Sequence, residues 1–317
     1  VSNPYVVNVS SIQDFYQCRY RWYCKWVLNR VPRHEGPALE AGKLLHLIFE
    51  KHSRDDIPLK TAAVQTLYHY QIWMCELPSK SPERATAQSA LDTIMSLMDA
   101  FPLWQDVFPM DIATLEAEEP FEISFPEMPW VVFRGRPDRV CLSGGAVWHV
   151  QNRGLAASMN FGTYALLAKR HYHEHLYAEH LSRKYADLGD YGGTIFNLVR
   201  KLKFRTNVGK KNEKTKTAAE MFWQMPVSIA LGGQQHAGVM RSMFDHVRDM
   251  QTVEMRVRNS KGLWLPPPNE KMNGGFNGGS IDPYFRVLIG EVSLDDDTVF
   301  KQREDTYAVA DVDAGQD

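Results

Sequence analysis

The sequence predicts an α/β fold, a central mixed β-sheet flanked by helices, and three observations predict it. Blocks with apolar residues at helical spacing fill much of residues 10–105. Short β-prone runs then crowd together from Ile112 to Gln151. A further helical block at 162–185 separates them from one more strand-like run, GGTIFNLVRKLKF. Adjacent strands followed by a helix and another strand imply an α/β core. At 317 residues and 44% hydrophobic the chain can bury a substantial core, and it reads as a single decorated domain over 1–317.

Each element has a local reason. The segment SSIQDFYQCRYRWYCKWV, residues 10–27, opens with a plausible serine cap and repeats aromatic residues at helical spacing, which predicts one amphipathic helix. After the breaker stretch VPRHEGP, residues 38–53 (ALEAGKLLHLIFEKHS) form a second helix. It places Gly42, His46 and Glu50 on one face, with the glycine permitting close approach. Residues 59–105 read as two helices broken at LPSKSP, within a helical insertion at about 55–110. The runs IATLEAEEPFEISF, WVVFRGRPDRVCL and AVWHVQ should form a meander of adjacent strands, with Ser143-Gly144-Gly145 as the last turn. A C-terminal extension at about 217–300 carries a helix near 233–258, the Pro/Gly/Asn-rich stretch LPPPNEKMNGGFNGG and a short strand around Tyr284–Ile289. The acidic tail, 301–317, is expected to fray.

The formal net charge of -2 does not announce a polyanion binder, but the average hides a local patch. Residues 200–216, RKLKFRTNVGKKNEKTK, hold eight basic residues against one acidic one and read as a mobile basic loop. Four cysteines, Cys18, Cys24, Cys75 and Cys141, form neither a disulfide framework nor a paired CxxC signature, so a reducing compartment is expected. No stretch approaches the ~20 apolar residues of a bilayer span, and the start lacks a basic segment followed by an apolar one. These features predict a soluble, cytoplasmic protein without a membrane partner.

The residues with chemical potential converge on two strand ends. Asp138 lies in GRPDRV, where Gly135 and Pro137 punctuate a strand and Arg136 and Arg139 can guide a phosphate. The run VWHVQNR ends another strand, and the two-residue period sends Gln151 and Arg153 to the same face. Carboxylates that gather a cation, beside a side chain that orients water or steadies developing charge, are what phosphodiester hydrolysis requires.

These residues resemble the PD-(D/E)XK nuclease superfamily, in particular its RecB-like branch of recombination exonucleases and many phage proteins. Gly42, His46 and Glu50 match the family's G-x-x-x-H-x-x-x-E helix, whose histidine is a metal ligand. Gly135, Asp138, Arg139 and Val140 match G-x-x-D-R-V, whose aspartate is the principal metal ligand. The N-terminal SxxxxFxxCxxRWY run is similar to the family's first helix, and the likeness covers roughly the first 200 residues. The resemblance implies a restriction-endonuclease-like core and a Mg2+- or Mn2+-dependent deoxyribonuclease, an exonuclease of recombination or end processing. His46, Asp138, Gln151 and the Asn152 carbonyl would bind metal, Arg153 would orient water or stabilise the phosphate, and Gly42 and Glu50 would support them. DNA would be met by Arg136, Arg139, His173, Tyr177, Arg200, Lys201, Lys203 and Arg205. Recombination or single-strand-binding proteins would be further partners, in the host cytoplasm for a virus.

The departures define an alternative. Gln151 stands at the second carboxylate position of the family's D/E-x-K-T, Arg153 at the lysine, Gly154 at the threonine, and His173 at the glutamine of Q-x-x-x-Y, four before Tyr177. A glutamine carbonyl can bind a hard cation without contributing charge, so Gln151→Glu is expected to tighten metal binding. Arginine stays protonated and cannot act as a base. A catalytically weakened or inactive DNA-binding or recombination-accessory protein on the same fold is therefore the second reading. Relatives that join a cysteine of the first helix to three near the C-terminus hold an iron–sulfur cluster; here Cys18 lacks those partners, and no cluster is expected.

Blander readings weigh against other signals. His46 by itself would be a core histidine, but its order with Gly42, Glu50 and Asp138 favours a ligand. Glu116, Glu118 and Glu119 read as strand and turn surface charges. The histidines of HYHEHLYAEH lack an HExxH pattern and read as solvated or DNA-facing. The aromatic residues Phe15, Tyr16, Tyr20, Trp22, Tyr23 and Trp26 are read mainly as core packing.

Overall fold

The computed structural model describes residues 4–33, 36–104, 113–155, 160–206, 209, 211–260, 265–266, 276–277, 280–281, 283–288, 291–297 and 299–303. Contacts gather the chain into two compact units, Val1–Arg33 with Phe244–Asp317, and His34–Met243. The first unit opens with strand β1 (Tyr5–Asn8), helix α1 (Val9–Gln17), the short helix α2 (Arg19–Trp22), a π-helical turn at Tyr23–Val27 and strand β2 (Arg30–Pro32). One continuous helix was expected over 10–27. The break falls at Cys18, whose backbone is extended (φ -159°, ψ 109°) and whose Sγ accepts from the Arg21 amide, so the cysteine caps a new helix. The aromatic residues do pack inward. Phe15 meets Trp22 edge-on at 5.0 Å, and both are buried, whereas Tyr16 is exposed.

The second unit carries the α/β core. Helices α3 (Pro37–Asp55), α4 (Leu59–Glu76) and α5 (Pro82–Met98) form a layer. Proline sits in the first turn of α3 and α5, where its missing N–H costs nothing, and Ser81 caps α5 by accepting from the Arg84 amide. Strands β3 (Ala113–Ala117), β4 (Phe121–Phe125), β5 (Met128–Gly135), β6 (Arg139–Ser143) and β7 (Ala146–Leu155) follow. They are not a simple meander, because β4 and β5 pair with each other as a separate hairpin while β3 pairs with β6. After β7 come helices α6 (Phe161–Ala168) and α7 (Tyr172–Lys184), then β8 (Tyr191–Arg200), which lies parallel to β7. The expected basic loop is in part a hairpin of β9 (Arg205–Thr206) and β10 (Lys214–Thr215). The short helix α8 (Ala218–Met221) has a capping box made by Thr217 and Glu220. It leads into β11 (Phe222–Val227), antiparallel to β8.

The central sheet therefore has the order β11-β8-β7-β6-β3, mixed and flanked by helices as the sequence predicts. Its register decides which face each site residue takes. His149, Gln151 and Arg153 of β7 align with Thr194, Phe196 and Leu198 of β8, and Asn152 aligns with Asn197 on the opposite face. Ala41, Leu44, Leu45, Ile48 and Phe49 of α3 share a core with Val199 and Phe222 of the sheet and with residues of α4 and α5. Helix α9 (Gln234–Asn259) closes the unit with its residues up to Met243.

The rest of the first unit contains β12 (Phe276–Asn277) paired with β13 (Ser280–Ile281), helix α10 (Pro283–Leu288), and β14 (Phe300–Gln302) paired antiparallel with β2. The strand expected around Tyr284–Ile289 is thus helical, with Pro283 at its first position. Tyr284 and Phe300 pack with Cys18, Tyr20 and Cys24. No helix among the described residues is long and apolar enough to cross a membrane.

Candidate metal centre

Asp138 is the hub of the site. It stands between β5 and β6, buried, and its Oδ2 accepts from the Asn152 backbone N–H at 2.9 Å. Its carbonyl accepts from the Glu118 amide at 3.2 Å, which brings the turn after β3 alongside. Helix α3 contributes His46, with Nδ1 3.8 Å from Asp138 Oδ2 and Nε2 3.0 Å from Glu118 Oε1. The Glu118 side chain also pairs through Oε2 with Arg136 Nε at 2.9 Å. One donor atom from each of His46, Glu118 and Asp138 lies within 4.8 Å of the others.

This donor set suits a hard divalent cation, because two carboxylates and an imidazole offer the oxygen and nitrogen ligands that Mg2+ and Mn2+ accept. Glu118 Oε1 is buried, and its contact with His46 Nε2 at 3.0 Å is not aligned as a hydrogen bond, so the oxygen has no well-formed partner. The electrostatics agree. Burial lowers the His46 pKa, but the neighbouring Glu118 and the charge of Asp138 outweigh it and raise the value above the ordinary one. The pocket thus favours a positive charge at this point, whether a proton or a metal.

Beside the cluster lies a second group of polar residues on β7 and α7. With its amide oriented so that both ends are satisfied, Gln151 donates to Glu174 Oε1 at 3.0 Å and accepts from Arg153 Nη2 at 2.7 Å. Glu174, on α7, is 1% exposed; it accepts from Thr194 Oγ1 at 2.5 Å and faces His149 Nδ1 at 3.6 Å. Burial alone would raise its pKa, yet His149 and the Thr194 hydroxyl hold it below the usual carboxylate value. Burial also works against the charge of Arg153, and Asp138, Tyr164 and Glu174 reverse that effect, so its pKa is raised. His173 is pushed down to about 4 by burial and by Arg153, and is neutral near neutral pH.

Opposite Gln151, the Asn152 side chain enters a row of amides. Asn197 Nδ2 donates to Asn152 Oδ1 at 3.1 Å, and Gln224 Nε2 donates to Asn197 Oδ1 at 3.0 Å, which ties β7 to β8 and β11. Tyr177 is buried against Phe121 and His149, and its hydroxyl donates to the Arg136 carbonyl at 3.1 Å. A Cβ at Gly135 would lie 2.6 Å from Phe121 and 2.7 Å from Tyr177, so only glycine fits two positions before Pro137.

A family model described as the PD-(D/E)XK nuclease superfamily matches residues 6–173, more than half of the chain. The chain belongs to the PD-(D/E)XK nuclease superfamily. No curated protein matches it. Arg139, next to Asp138, aligns with Val150 of β7, so Asp138 stands beside the strand stretch that carries Gln151 and Asn152.

Against that superfamily pattern, the sequence-predicted residues divide. His46, Asp138 and Asn152 come together, and Arg153, bonded to Gln151, feels the charge of Asp138. Glu50 does not; it pairs with Arg54 one turn along its own helix, at 3.2 Å. Gly42 is not required by packing, since a Cβ there would meet nothing nearer than Lys201 Nζ at 4.0 Å. Arg136 is exposed beside Glu118, while Arg139 turns to Thr114 Oγ1 at 2.9 Å. Lys201 donates to the Ala38 carbonyl at 2.9 Å, Arg200 stacks over Phe161 at 4.3 Å, and Lys203 and Arg205 are exposed.

Two readings need correction. Glu118 is a member of the cluster rather than a surface charge, and Glu116 bonds Lys184 and Tyr185; only Glu119 of the three is exposed. His175 is not solvated or DNA-facing. It is 2% exposed, with Nδ1 2.9 Å from His236 Nδ1, while His236 Nε2 lies 2.8 Å from Glu179. Glu174 belongs to no motif read from the sequence; its signal is an acidic residue at the head of the stripe Glu174, Ala178, Leu181, an otherwise apolar i, i+4, i+7 face.

Proposed function

We propose that this chain is a divalent-metal-dependent deoxyribonuclease of the RecB-like branch, acting as an exonuclease in recombination or end processing. The observation that carries the reading is the convergence of His46, Glu118 and Asp138 within 4.8 Å, with the Asn152 N–H fixing the aim of Asp138. His46, Glu118 and Asp138 would hold Mg2+ or Mn2+. Such a cation supplies Lewis acidity toward a phosphoryl oxygen and lowers the pKa of a bound water. Arg153, held in its charged form, steadies negative charge developing on the phosphate and does not serve as a base. Arg136, Lys203 and Arg205 are exposed cations for the DNA backbone, and Arg136 pairs with Glu118 of the cluster.

One observation favours a second reading. The Gln151 oxygen is engaged by Arg153 at 2.7 Å and is not offered to a cation, so the family's second strand carboxylate has no direct substitute at its own position. An accessory protein that binds DNA without cutting it is built on that loss. The deciding assay is cleavage of labelled single- and double-stranded DNA in Mg2+ or Mn2+. Cutting that falls at least about a hundredfold in Asp138→Ala, as loss of a metal ligand demands, supports the nuclease. DNA binding with no cutting in either metal supports the accessory.

A further inference from the structure

The unexplained group beside the cluster is Glu174, a carboxylate 1% exposed on a helix that contributes no ligand to the metal donor set. Burying a carboxylate is costly unless its charge is used. Here both oxygens are committed to strand residues: Oε1 accepts from the Gln151 amide and Oε2 from Thr194. Gln151 in turn accepts from Arg153, whose charge is favoured by Asp138 and Glu174 together. The chain Glu174, Gln151, Arg153 is thus a relay of hydrogen bonds between one buried anion and one half-buried cation. A glutamine in its middle is the residue that fits, since it alone among the short polar side chains donates to one and accepts from the other at this length.

We propose that Glu174 is a positioning residue for the metal centre: from helix α7 it supplies the negative charge that position 151 lacks, and through Gln151 it holds Arg153 in line. The proposal rests on the nuclease reading and extends it. Arg136 pairs with Glu118, and Arg153 feels the charge of Asp138, so the two arginines draw on the negative charge of the cluster; Glu174 answers the charge of Arg153 without becoming a ligand. The same geometry reverses the simplest expectation for position 151. A glutamate there would meet Glu174 at hydrogen-bond distance, and like charges so close in a dry site oppose each other.

The test is a cycle of four intact proteins: the parent, Glu174→Gln, Gln151→Glu, and the double variant in which the charge is moved back to the strand. Mn2+ affinity is measured by calorimetry, with thermal melting alongside and DNA cleavage as a third readout. Glu174→Gln is expected to weaken Mn2+ binding by about tenfold, as loss of a nearby full charge does. Gln151→Glu alone is expected to melt lower than the parent, and the double variant to recover Mn2+ affinity to within about threefold of it. A purely structural Glu174 would lower melting without changing Mn2+ affinity of the folded protein, and that result overturns the proposal while leaving the nuclease reading standing. So does a double variant no better than Glu174→Gln. The expected Mn2+ pattern in a set of proteins that never cut DNA upholds the charge assignment and removes the nuclease reading. A parent that binds no Mn2+ overturns both.

Discussion

Two glycines of the matched motifs, Gly42 and Gly135, are expected to respond oppositely to the same substitution. At Gly135 an added Cβ would sit 2.6 and 2.7 Å from Phe121 ring carbons and 2.7 Å from Tyr177 Cε1, about an ångström inside ordinary contact. Neither ring has room to retreat. Phe121 stacks on His180 at 3.9 Å and Tyr177 packs against His149 at 4.6 Å, and both are buried. Overpacking of this kind costs about 1–3 kcal/mol, and three simultaneous close contacts place Gly135→Ala near the upper end. At roughly 2–4 °C per kcal/mol for a domain of this size, melting should fall by about 6–12 °C. The strand end that must move leads directly to Asp138, so any cleavage rate should fall by about a hundredfold, the usual cost of a misplacement near 1 Å. Gly42→Ala, inside α3 with only Lys201 Nζ at 4.0 Å, should instead gain up to about 1 kcal/mol from helix propensity. Melting curves of the two variants decide the matter. Equal destabilisation, or an unchanged Gly135→Ala, refutes the packing argument.

Two further outcomes follow from the same geometry. Glu118→Gln keeps the side-chain shape while removing one carboxylate charge from the cluster, so Mn2+ should bind at least about tenfold more weakly in calorimetry; parent-like affinity would remove Glu118 from the ligand set. Stability should also depend on mild acid. His173 is held to about 4 by burial and Arg153, and His180 to about 4 by burial and Lys184, against an ordinary value of 6.5. Between those values the unfolded chain binds more protons than the folded one, so stability rises with pH and is lost on acidification from about 6.5 toward 4. Melting temperatures across that window measure it. A flat profile, or one whose slope His180→Gln leaves unchanged, contradicts the assignment for His180.

Much of the site was legible because its chemistry lies in short, rigid words of sequence. GRPDRV announces a strand end with an obligatory glycine, and both Gly135 and Asp138 stand where that word places them. The helix bearing His46 was readable from its apolar spacing. Glu118 was not readable, since it follows a register shift in β3 between Thr114 and Glu116, and its own φ is +55°. Alternation along a strand says nothing about a residue beyond such an irregularity, and three glutamates in four positions gave no way to choose. Glu174 was hidden differently. It belongs to a helix whose neighbours are histidines, and only the pairing of β7 with β8, set by a long crossover, brings Thr194 and Gln151 to it. The break in the first helix at Cys18 was equally invisible, because thiol capping of an amide has no spacing of its own.

The row of amides from Gln224 through Asn197 to Asn152 has one more consequence. Asn152 aims Asp138 with its backbone and is anchored by its side chain, so the direction of the central carboxylate is inherited from strands two places away across the sheet. Strand register is a discrete quantity, for a slip of one residue exchanges the two faces. The carboxylate is therefore not tuned by degrees. It is either aimed, with the whole sheet in register, or it is not a part of the centre at all.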